Sequence, residues 1–310
     1  MIIHPGFVGC DVAKHHLDLF DARTGVAERI ANTEPEAATL ATKLARRGDL
    51  IVFEATGSYD RRLRLALAAA GGRFARVNPG RARDFARAAG YLAKTDQVDA
   101  RMLAAMGQAL ELGAETSVDP EREKLSLLVK RRDQLVFMRA QEKTRLAEIA
   151  DKKLRANFEA HIAWLSKDIA CFNLKIALLC KQSPVIAGEI ALTRTAPGVG
   201  QVTASVVAAL LPELGRRSPK SIAALVGLAP FADDSGKWRG HRCIKGGRRR
   251  VRQALYMAAL AAIRADTPFK AFYLRLRTAG KKAKLALIAV ARKLLTTLNA
   301  MVRDNVPFHT

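Results

Sequence analysis

The stretch that decides the fold runs from residue 6 to residue 31 and reads GFVGCDVAKHHLDLFDARTGVAERIA. It contains three short apolar stretches, at residues 6–10, 17–20 and 26–30, and turn residues such as Thr24-Gly25 separate them. Short apolar runs bounded by turn residues are typical of β-strands joined by tight connections. The pattern therefore predicts a three-strand meander at the start of the chain.

Helices and strands are expected to alternate after the meander. The expected elements are a helix at 34–47 capped by Asn32 or Thr33, a strand at 50–53, a helix from Ser58 to about residue 70, a strand at 73–77, and helices at 80–89 and about 96–112. The run Leu50-Ile51-Val52-Phe53 is continuously apolar, as expected of a strand buried on both faces. Strands followed by a β-α-β-α order predict an α/β domain with a mixed sheet over residues 1–112.

A helical segment is expected at residues 120–182, because no glycine or proline occurs between Pro120 and Pro184. Its second half repeats apolar residues with a spacing of three and four, which is typical of a coiled-coil seam. The seam residues are Ile162, Leu165, Ile169, Phe172, Ile176 and Leu179, and a weaker seam contains Leu125, Leu128, Leu135, Leu146 and Ile149. A break near residues 151–158 would give an antiparallel hairpin, and a single long helix is equally compatible.

The remaining residues, 190–310, are expected to form a mostly helical domain. Loops are predicted at 197–200, 212–219 and 229–247, and the last helices at about 248–264 and 281–303. Both helices have an apolar face rich in alanine and leucine and a basic face.

The charge of the chain indicates a polyanionic partner. The 310 residues include 52 Lys and Arg against 29 Asp and Glu, which gives a formal net charge of +23. Residues 191–310 alone carry 22 basic and 5 acidic side chains. Nucleic acid is the leading candidate for the partner, and an arginine-rich composition from a high-GC genome is the alternative.

The cysteines and the N-terminus favour a soluble cytoplasmic protein. The four cysteines form neither a CxxC pair nor a zinc-binding spacing, so we expect reduced thiols. No charged and then apolar signal sequence opens the chain. The uncharged run at 195–212 contains proline and glycine, which makes a membrane span an unfavourable interpretation.

Four carboxylates are candidates for a metal site. Asp11 is expected directly after the first strand and Glu54 at the end of the buried strand, so both would lie at one sheet edge. Asp96 and Asp99 are three residues apart, which puts them on one face of a helix. Such acids repel one another unless divalent cations neutralise them, and oxygen ligands suit Mg²⁺, with Mn²⁺ as the alternative. Two such ions can clamp a phosphodiester.

The same four residues also have an ordinary interpretation. Asp96 could be a helix N-terminal residue that the helix dipole favours, and Asp99 an exposed helix charge. Glu54 is the least ordinary of the four, because carboxylates rarely end a buried strand.

The segment Thr195-Ala196-Pro197-Gly198-Val199-Gly200 precedes an apolar helix. Its glycines permit a tight turn that exposes backbone N–H groups at a helix N-terminus, an arrangement that binds phosphate. The segment is similar to a helix-hairpin-helix, which binds the DNA backbone. A plain turn between two helices is the alternative.

Residues 233–250 are the most unusual stretch, since Lys237–Arg252 contains eight basic residues and no acid. Ser235 lies in this glycine-flanked segment and could attack a phosphodiester if cations stabilised the developing charge. The residues alone favour the plainer interpretation, in which Ser235 begins a turn and the cations bind phosphates. The candidate nucleic-acid-binding residues are Gly198, Gly200, Lys237, Arg239, Arg242, Lys245, Arg248, Arg249 and Arg250.

These motifs together resemble one family. The N-terminal motifs are Gly9-Cys10-Asp11-Val12-Ala13-Lys14, Phe53-Glu54-Ala55-Thr56-Gly57 and Lys94-Thr95-Asp96-Gln97-Val98-Asp99-Ala100. The C-terminal motifs are Pro197-Gly198-Val199-Gly200, Gly227-Leu228-Ala229-Pro230, Ser235-Gly236-Lys237 and Gly246-Gly247. In order and spacing the chain resembles the DEDD transposases of the Insertion Sequence 110 family, which are bridge-RNA-guided recombinases, and the related pilin-gene invertases.

The resemblance implies a specific machinery. It implies a RuvC-like, ribonuclease-H-type domain in which Asp11, Glu54, Asp96 and Asp99 hold Mg²⁺, a coiled-coil segment, and a transposase domain. Ser235 would be the nucleophile and would form a covalent phosphoserine bond with a DNA strand end.

The resemblance also implies partners. A structured non-coding bridge RNA would pair with donor and target DNA, and strand exchange would pass through a Holliday-junction-like intermediate. The protein would form dimers that pair into a tetramer, with the acids and the serine of each active site from different protomers. Such a protein belongs in the bacterial cytoplasm, at the nucleoid.

Two other functions stay open at this point. A RuvC-like junction endonuclease would use water as the nucleophile, and Ser235 would then be structural. A non-enzymatic nucleic-acid scaffold would have lost the chemistry, although the presence of all four acids counts against it.

Overall fold

The computed structural model describes residues 6–55, 57–91, 95–115, 119–231, 234–235, 238–239 and 242–309. The side chains of Gln97, Asp234, Ser235 and Arg239 lie outside this description. The chain divides into two compact units, Met1–Val118 and Asp119–Thr310. The predicted division into three segments stays a prediction.

The first unit is a five-stranded mixed sheet with helices on both faces. Its elements are β1 (Phe7–Val12), β2 (His16–Asp21), β3 (Val26–Ala31), α1 (Glu34–Arg47), β4 (Leu50–Glu54), α2 (Arg61–Ala70), β5 (Arg73–Val77), α3 (Pro79–Ala88) and α4 (Asp96–Ala109). The strand order is β3-β2-β1-β4-β5, in which β1, β2 and β3 are antiparallel and β4 and β5 run parallel to β1. The predicted meander and mixed sheet are confirmed.

The sheet forms a core on each face because its inner strands alternate their side chains. Val8 and Cys10 of β1 pack with Leu40 and Leu44 of α1. On the opposite face, Val52 of β4 packs with the buried methionines and leucine of α4. The apolar strand β4 lies between β1 and β5, which explains why it is buried on both faces.

Gly9 sets the distance between β1 and α4. A Cβ atom on this residue would lie 1.7 Å from the carbonyl oxygen of Ala100 and 2.7 Å from the nitrogen of Ala104. Any side chain at position 9 would therefore push α4 away from the sheet. The helix backbone rests directly on the strand backbone at this point.

Some predicted boundaries differ from the observed ones. The helix expected from Ser58 begins at Arg61 with Asp60 as its N-cap, and α4 ends at Ala109 instead of residue 112. Thr33 occupies the N-cap position of α1 but makes no side-chain capping hydrogen bond there. Asp60 is buried close to Arg64 and Arg76, and this local ion pairing is not visible in the sequence pattern.

The second unit begins with a helical hairpin made of α5 (Pro120–Glu148) and α6 (Lys152–Gln182). The two helices are antiparallel, since Arg132 binds Asn173 and Arg139 binds Ser166 across the pair. Arg155 donates to the carbonyl oxygens of Leu146 and Ile149 at the end of α5. The hairpin alternative is therefore the observed one, but its break lies at residues 149–151, earlier than the predicted 151–158, because Asp151 caps a helix that already begins at Lys152.

Six further helices complete this unit among the described residues. They are α7 (Pro184–Arg194), α8 (Gln201–Leu210), α9 (Pro219–Val226), α10 (Arg249–Ala262), α11 (Pro268–Thr278) and α12 (Ala283–Asp304). Buried residues of α8, α10 and α12 contribute to one apolar core. Helix α12 is the one described helix long and apolar enough to cross a membrane, and half of its apolar window is buried inside the protein.

The expected loop at 229–247 contains short strands, so that prediction was wrong. Strand β6 (Pro230–Phe231) pairs with β9 (Cys243–Ile244), and β7 (Asp234–Ser235) pairs with β8 (Trp238–Arg239). The two antiparallel ladders are nested in sequence. Two-residue strands are too short to leave a detectable alternating pattern, and for this reason the sequence predicted a loop.

Candidate metal site and nucleic-acid interface

Asp11 and Glu54 lie on neighbouring strands at the same edge of the sheet. Asp11 is inside β1, one residue before its end, and not after the strand as expected. Glu54 is the last residue of β4, and the preceding residue Phe53 pairs with Cys10 of β1. Because side chains alternate along a strand, Asp11 shares the face of Gly9, and Glu54 shares the face of Val52. Both faces are the one that α4 covers.

Helix α4 brings the other two acids to this edge. Its N-cap is Thr95, whose hydroxyl oxygen accepts from the backbone nitrogen of Val98 at 3.3 Å. Asp96 and Asp99 therefore lie in the first turn of the helix, where the helix dipole favours carboxylates. The close approach at Gly9 holds this turn near β1.

The charges of Asp99 and Asp96 act on the carboxyl group of Asp11. Burial raises the pKa of the Asp11 carboxyl above its usual value, and the negative charges of Asp99 and Asp96 raise the pKa further. Mutual repulsion of this kind is relieved when a divalent cation binds between the carboxylates. The residues present therefore fit a hard cation with oxygen ligands.

Asp96 has a second set of neighbours that the sequence analysis missed. Arg29 of β3 donates from Nη2 to Oδ2 of Asp96 at 2.7 Å, and from Nε to Oδ1 of Asp18 at 2.7 Å. Asp18 is buried on β2, directly opposite Asp11 in the strand pairing. Nε2 of His16 lies 3.3 Å from Oδ2 of Asp18 and 3.8 Å from Oδ2 of Asp96.

One signal could have pointed to Asp18. It interrupts the apolar stretch 17–20, and an aspartate inside a buried strand is rarely found without a partner. His16 and Arg29 carry no comparable signal, because their proximity depends on the register of β2 with β3.

Cys10 does not belong to this site. It alternates with Asp11 and packs in the core on the opposite face of the sheet. Burial raises the pKa of its thiol well above the usual value, and the nearby charges of Asp11 and Asp18 raise it further. A thiol in this environment is inert as a nucleophile and as a ligand.

The two glycines of the turn at 197–200 have different environments. Gly198 has a φ of +80°, and a Cβ on it would lie 2.2 Å from the carbonyl oxygen of Ala258 in α10. Gly200 is exposed at the N-cap of α8, and a Cβ there would meet no atom within 4 Å. Close packing against α10 thus explains why residue 198 is a glycine. At Gly200 no neighbouring atom covers the first turn of α8, so this turn is accessible.

Residues 237–252, which we call the basic segment, contain both exposed and paired cations among the described residues. Arg242, Lys245 and Arg249 are exposed. Arg248 forms a bidentate ion pair with Glu213, and Arg250 forms a bidentate ion pair with Asp133. Lys237 and the side chains of Ser235 and Arg239 lie outside the described residues. Arg250 thus joins α10 to α5, and Arg248 joins the start of α10 to the turn that follows α8.

Arg252 fastens the two ends of the segment that contains Ser235. Its Nη1 donates to the carbonyl oxygens of Val226, Gly227 and Gly246, at 3.2, 3.3 and 2.6 Å. A Cβ on Gly247 would lie 2.2 Å from the nitrogen of Gly227, so these backbones are in direct contact. The glycines therefore let the two ends of residues 227–247 meet, and Arg252 binds them together.

Helices α11 and α12 and the connection between them carry six cations. These cations have no acidic partner among the residues that the structure describes; they are Lys270, Arg275, Lys281, Lys282, Lys284 and Lys293. Arg275 and Lys293 both lie over the ring of Phe272, at 5.2 and 4.9 Å from its centroid. We call these six cations the basic face.

Two family models match the chain. The model of the DEDD transposases of IS110, described as "Transposase", matches residues 8–153. A second model, described as "Transposase IS116/IS110/IS902 family", matches residues 191–274. Together they match about three quarters of the chain, including the carboxylate edge and the basic segment.

The relatives agree with this assignment. The chain is 29% identical over 262 residues to the pilin gene-inverting protein of Moraxella bovis, which covers 83% of this chain and 81% of that protein. It is 40% identical over 95 residues to an insertion element IS900 protein of Mycobacterium paratuberculosis, over 30% of this chain and 23% of that protein. An insertion element IS110 protein of Streptomyces coelicolor is 35% identical over 111 residues, over 35% of this chain and 27% of that protein.

The family models and the relatives show that the protein is a DNA transposase or recombinase of an insertion sequence. Within that class, the chain belongs to the IS110 family of DEDD transposases, and the resemblance stated from the motifs is confirmed. Membership in this family implies a divalent metal, which the acidic edge of the sheet suits.

Proposed function

We propose that this transposase cuts and rejoins DNA with a divalent-metal site formed by Asp11, Glu54, Asp96 and Asp99. The observation that carries the proposal is the placement of these acids at the ends of β1 and β4 and in the first turn of α4, where burial and then the charges of Asp99 and Asp96 raise the pKa of Asp11. Mg²⁺, or Mn²⁺ in its place, would neutralise these carboxylates and polarise a phosphodiester when bound. The four acids would orient that phosphate at the carboxyl edge of β1 and β4.

The fold of the first unit supports a RuvC-like, ribonuclease-H-type domain. Three antiparallel strands followed by two parallel ones, in the order β3-β2-β1-β4-β5, are compatible with that architecture. The acids lie on the central strands β1 and β4 and on the helix that packs over them. This placement agrees with a metal-dependent nuclease domain.

We propose Ser235 as the nucleophile. Its hydroxyl oxygen would attack phosphorus, and the new O–P bond would form as the bond from phosphorus to a deoxyribose oxygen breaks. The hydroxyl proton would leave to solvent or a base, and the departing oxygen would take up a proton. The phosphoserine would conserve the energy of the phosphodiester, so the strand could be rejoined without ATP. The contacts of Arg252 at both ends of residues 227–247 support this role, because they restrict where Ser235 can lie.

The partners follow from the charge and the family. Donor DNA, target DNA and a structured bridge RNA are polyanions, as the net charge of +23 favours. We place the basic face of α11 and α12 and the exposed Arg242, Lys245 and Arg249 at this nucleic-acid interface. The relative in Moraxella bovis is named for inverting a pilin gene, which is a rearrangement of DNA. We further propose a cytoplasmic, nucleoid-associated protein that acts as paired dimers.

A covalent-trapping assay tests the proposed chemistry. The full chain, its co-expressed RNA and Mg²⁺ are mixed with labelled donor and target DNA, quenched in denaturant and run on a gel. We expect a shifted protein–DNA band that both Ser235→Ala and Asp11→Asn abolish, while DNA binding by Ser235→Ala stays near the wild-type level. Cut DNA without a shifted band would show hydrolysis by water, as in a junction endonuclease. Recombination by Ser235→Ala would overturn the role of the serine.

A further inference from the structure

Two side chains beside the proposed carboxylate site, His16 and Asp18, form a second cluster with Asp96, which belongs to both. Nε2 of His16, one carboxylate oxygen of Asp18 and one of Asp96 all lie within 4.8 Å of one another. Two ligands bound to a cation at about 2.1 Å, at tetrahedral or octahedral angles, are about 3.0–3.5 Å apart. The observed 3.3 Å between His16 and Asp18 matches that spacing, and the 3.8 Å between His16 and Asp96 requires a small inward movement.

Asp18 has an oxygen that points to a missing ligand. Its side chain is 3% exposed, and its Oδ1 is occupied by Nε of Arg29. Oδ2 is buried and makes no hydrogen bond with the described residues, although it faces Nε2 of His16. A buried carboxylate oxygen without a hydrogen bond is costly, and a bound cation removes that cost.

The net charge of this cluster depends on whether Arg29 is bound to its two aspartates. Its guanidinium joins Asp18 to Asp96, and its side chain is 55% exposed, so it can move into solvent. Release of Asp96 by Arg29 would free the oxygen that lies nearest to His16. The remaining carboxylates at the sheet edge keep the surroundings negative, which favours a divalent ion.

We propose that His16, Asp18 and Asp96 form a second metal site, which takes a divalent transition metal such as Mn²⁺ or Zn²⁺. An imidazole in the ligand set favours these ions over Mg²⁺, which prefers oxygen ligands and retains water. The bound ion would tie the start of β2 to the first turn of α4. The site shares Asp96 with the proposed catalytic metal site but does not depend on Ser235 or on strand transfer.

Mn²⁺ binding to the full chain tests this site in the absence of nucleic acid. The concentration of free Mn²⁺ is measured by electron paramagnetic resonance in the presence of excess Mg²⁺. The Mg²⁺ is added to occupy the proposed carboxylate site of Asp11, Glu54, Asp96 and Asp99. We expect one Mn²⁺ per chain to remain bound, and His16→Gln to weaken its binding at least about tenfold. His15→Gln is the matched control, because His15 is the exposed neighbour of His16 and should bind Mn²⁺ like the wild type.

Two further variants separate this site from the proposed catalytic one. Asp99→Asn should weaken Mg²⁺ binding and leave the retained Mn²⁺ in place, whereas Arg29→Gln should tighten Mn²⁺ binding by freeing Asp96. Circular dichroism verifies that each variant is folded. Mn²⁺ affinity that is unchanged in both His16→Gln and Arg29→Gln would overturn the proposal and leave the cluster as an ion pair only.

Discussion

At the scale of single residues, Asp11 combines burial with three like-charged neighbours, Asp99, Asp96 and Asp18. Both effects raise the pKa of its carboxyl, so the ionised form is less favourable in the folded protein than in the unfolded chain. In the absence of metal, protonated Asp11 contributes to the stability of the folded protein. This contribution is complete at pH values below the pKa that Asp11 has in the unfolded chain. It is lost as the pH rises through the higher pKa in the folded protein.

Asp11→Asn should therefore stabilise the metal-free protein at neutral pH. The amide keeps the shape of the carboxylate and removes the repulsion with Asp96 and Asp99. We expect a higher Tm than the wild type in EDTA at pH 8, and a smaller difference at acidic pH, as the wild-type carboxyl becomes protonated. In a unit of this size, a few degrees in Tm correspond to about 1 kcal/mol.

Calorimetry with Mg²⁺ supplies the control for this prediction. The ion should raise the Tm of the wild type more than that of Asp11→Asn, because binding to the folded state stabilises it. A lower Tm for Asp11→Asn in EDTA would contradict the assigned electrostatics.

At the scale of the elements, the turn between α7 and α8 is held against α10 by the absence of a side chain. Gly198 has a left-handed φ and lies against the backbone of Ala258. Gly200 is two residues away, has an extended backbone and faces open space. The two positions therefore allow the same substitution to be compared in different environments.

Gly198→Ser should lower the free energy of unfolding by at least about 2 kcal/mol, from backbone strain and from overpacking against α10. Gly200→Ser should change it by less than about 0.5 kcal/mol, because serine is a preferred N-cap residue and has room there. Urea denaturation followed by circular dichroism measures both values. Equal effects of the two substitutions would show that α10 does not restrict the turn.

The sequence predicted strand β4 and the apolar seam of α6, whereas it did not predict the contacts around Asp18. The apolar patterns of β4 and α6 reflect burial of one continuous surface, so the strand and the seam were correctly assigned. The cluster of Asp18, His16 and Arg29 depends on strand register and on an arginine reaching across the sheet, which local patterns do not encode. The same holds for the ion pair between Arg250 and Asp133, which are 117 residues apart.

At the scale of the whole molecule, the excess positive charge lies mainly in the second unit. Binding of duplex DNA releases counterions, so the logarithm of the binding constant falls with the logarithm of salt by about 0.9 for each neutralised phosphate. The basic face of α11 and α12 can contribute to this slope because the described residues offer its cations no acidic partner.

Replacing Lys284 and Lys293 by glutamine should reduce the salt slope by about 0.9 per lysine. Arg303→Gln is the matched control, because Arg303 lies on the same helix and already binds Asp304. Fluorescence anisotropy with a labelled duplex at several salt concentrations measures the slopes. An unchanged slope in the double lysine variant would place the nucleic acid on another surface.

The contact of β1 with α4 through Gly9 has a consequence for how this protein can change over time. Two main chains in direct contact fix the height of the carboxylates above the sheet, and no packed side chain between them can be exchanged for a larger or smaller one. The apolar layers on either side can therefore drift in composition while the spacing of the acids stays constant. Substitutions in the hydrophobic core therefore leave the arrangement of the acids unchanged. The requirement for this is that position 9 stays glycine.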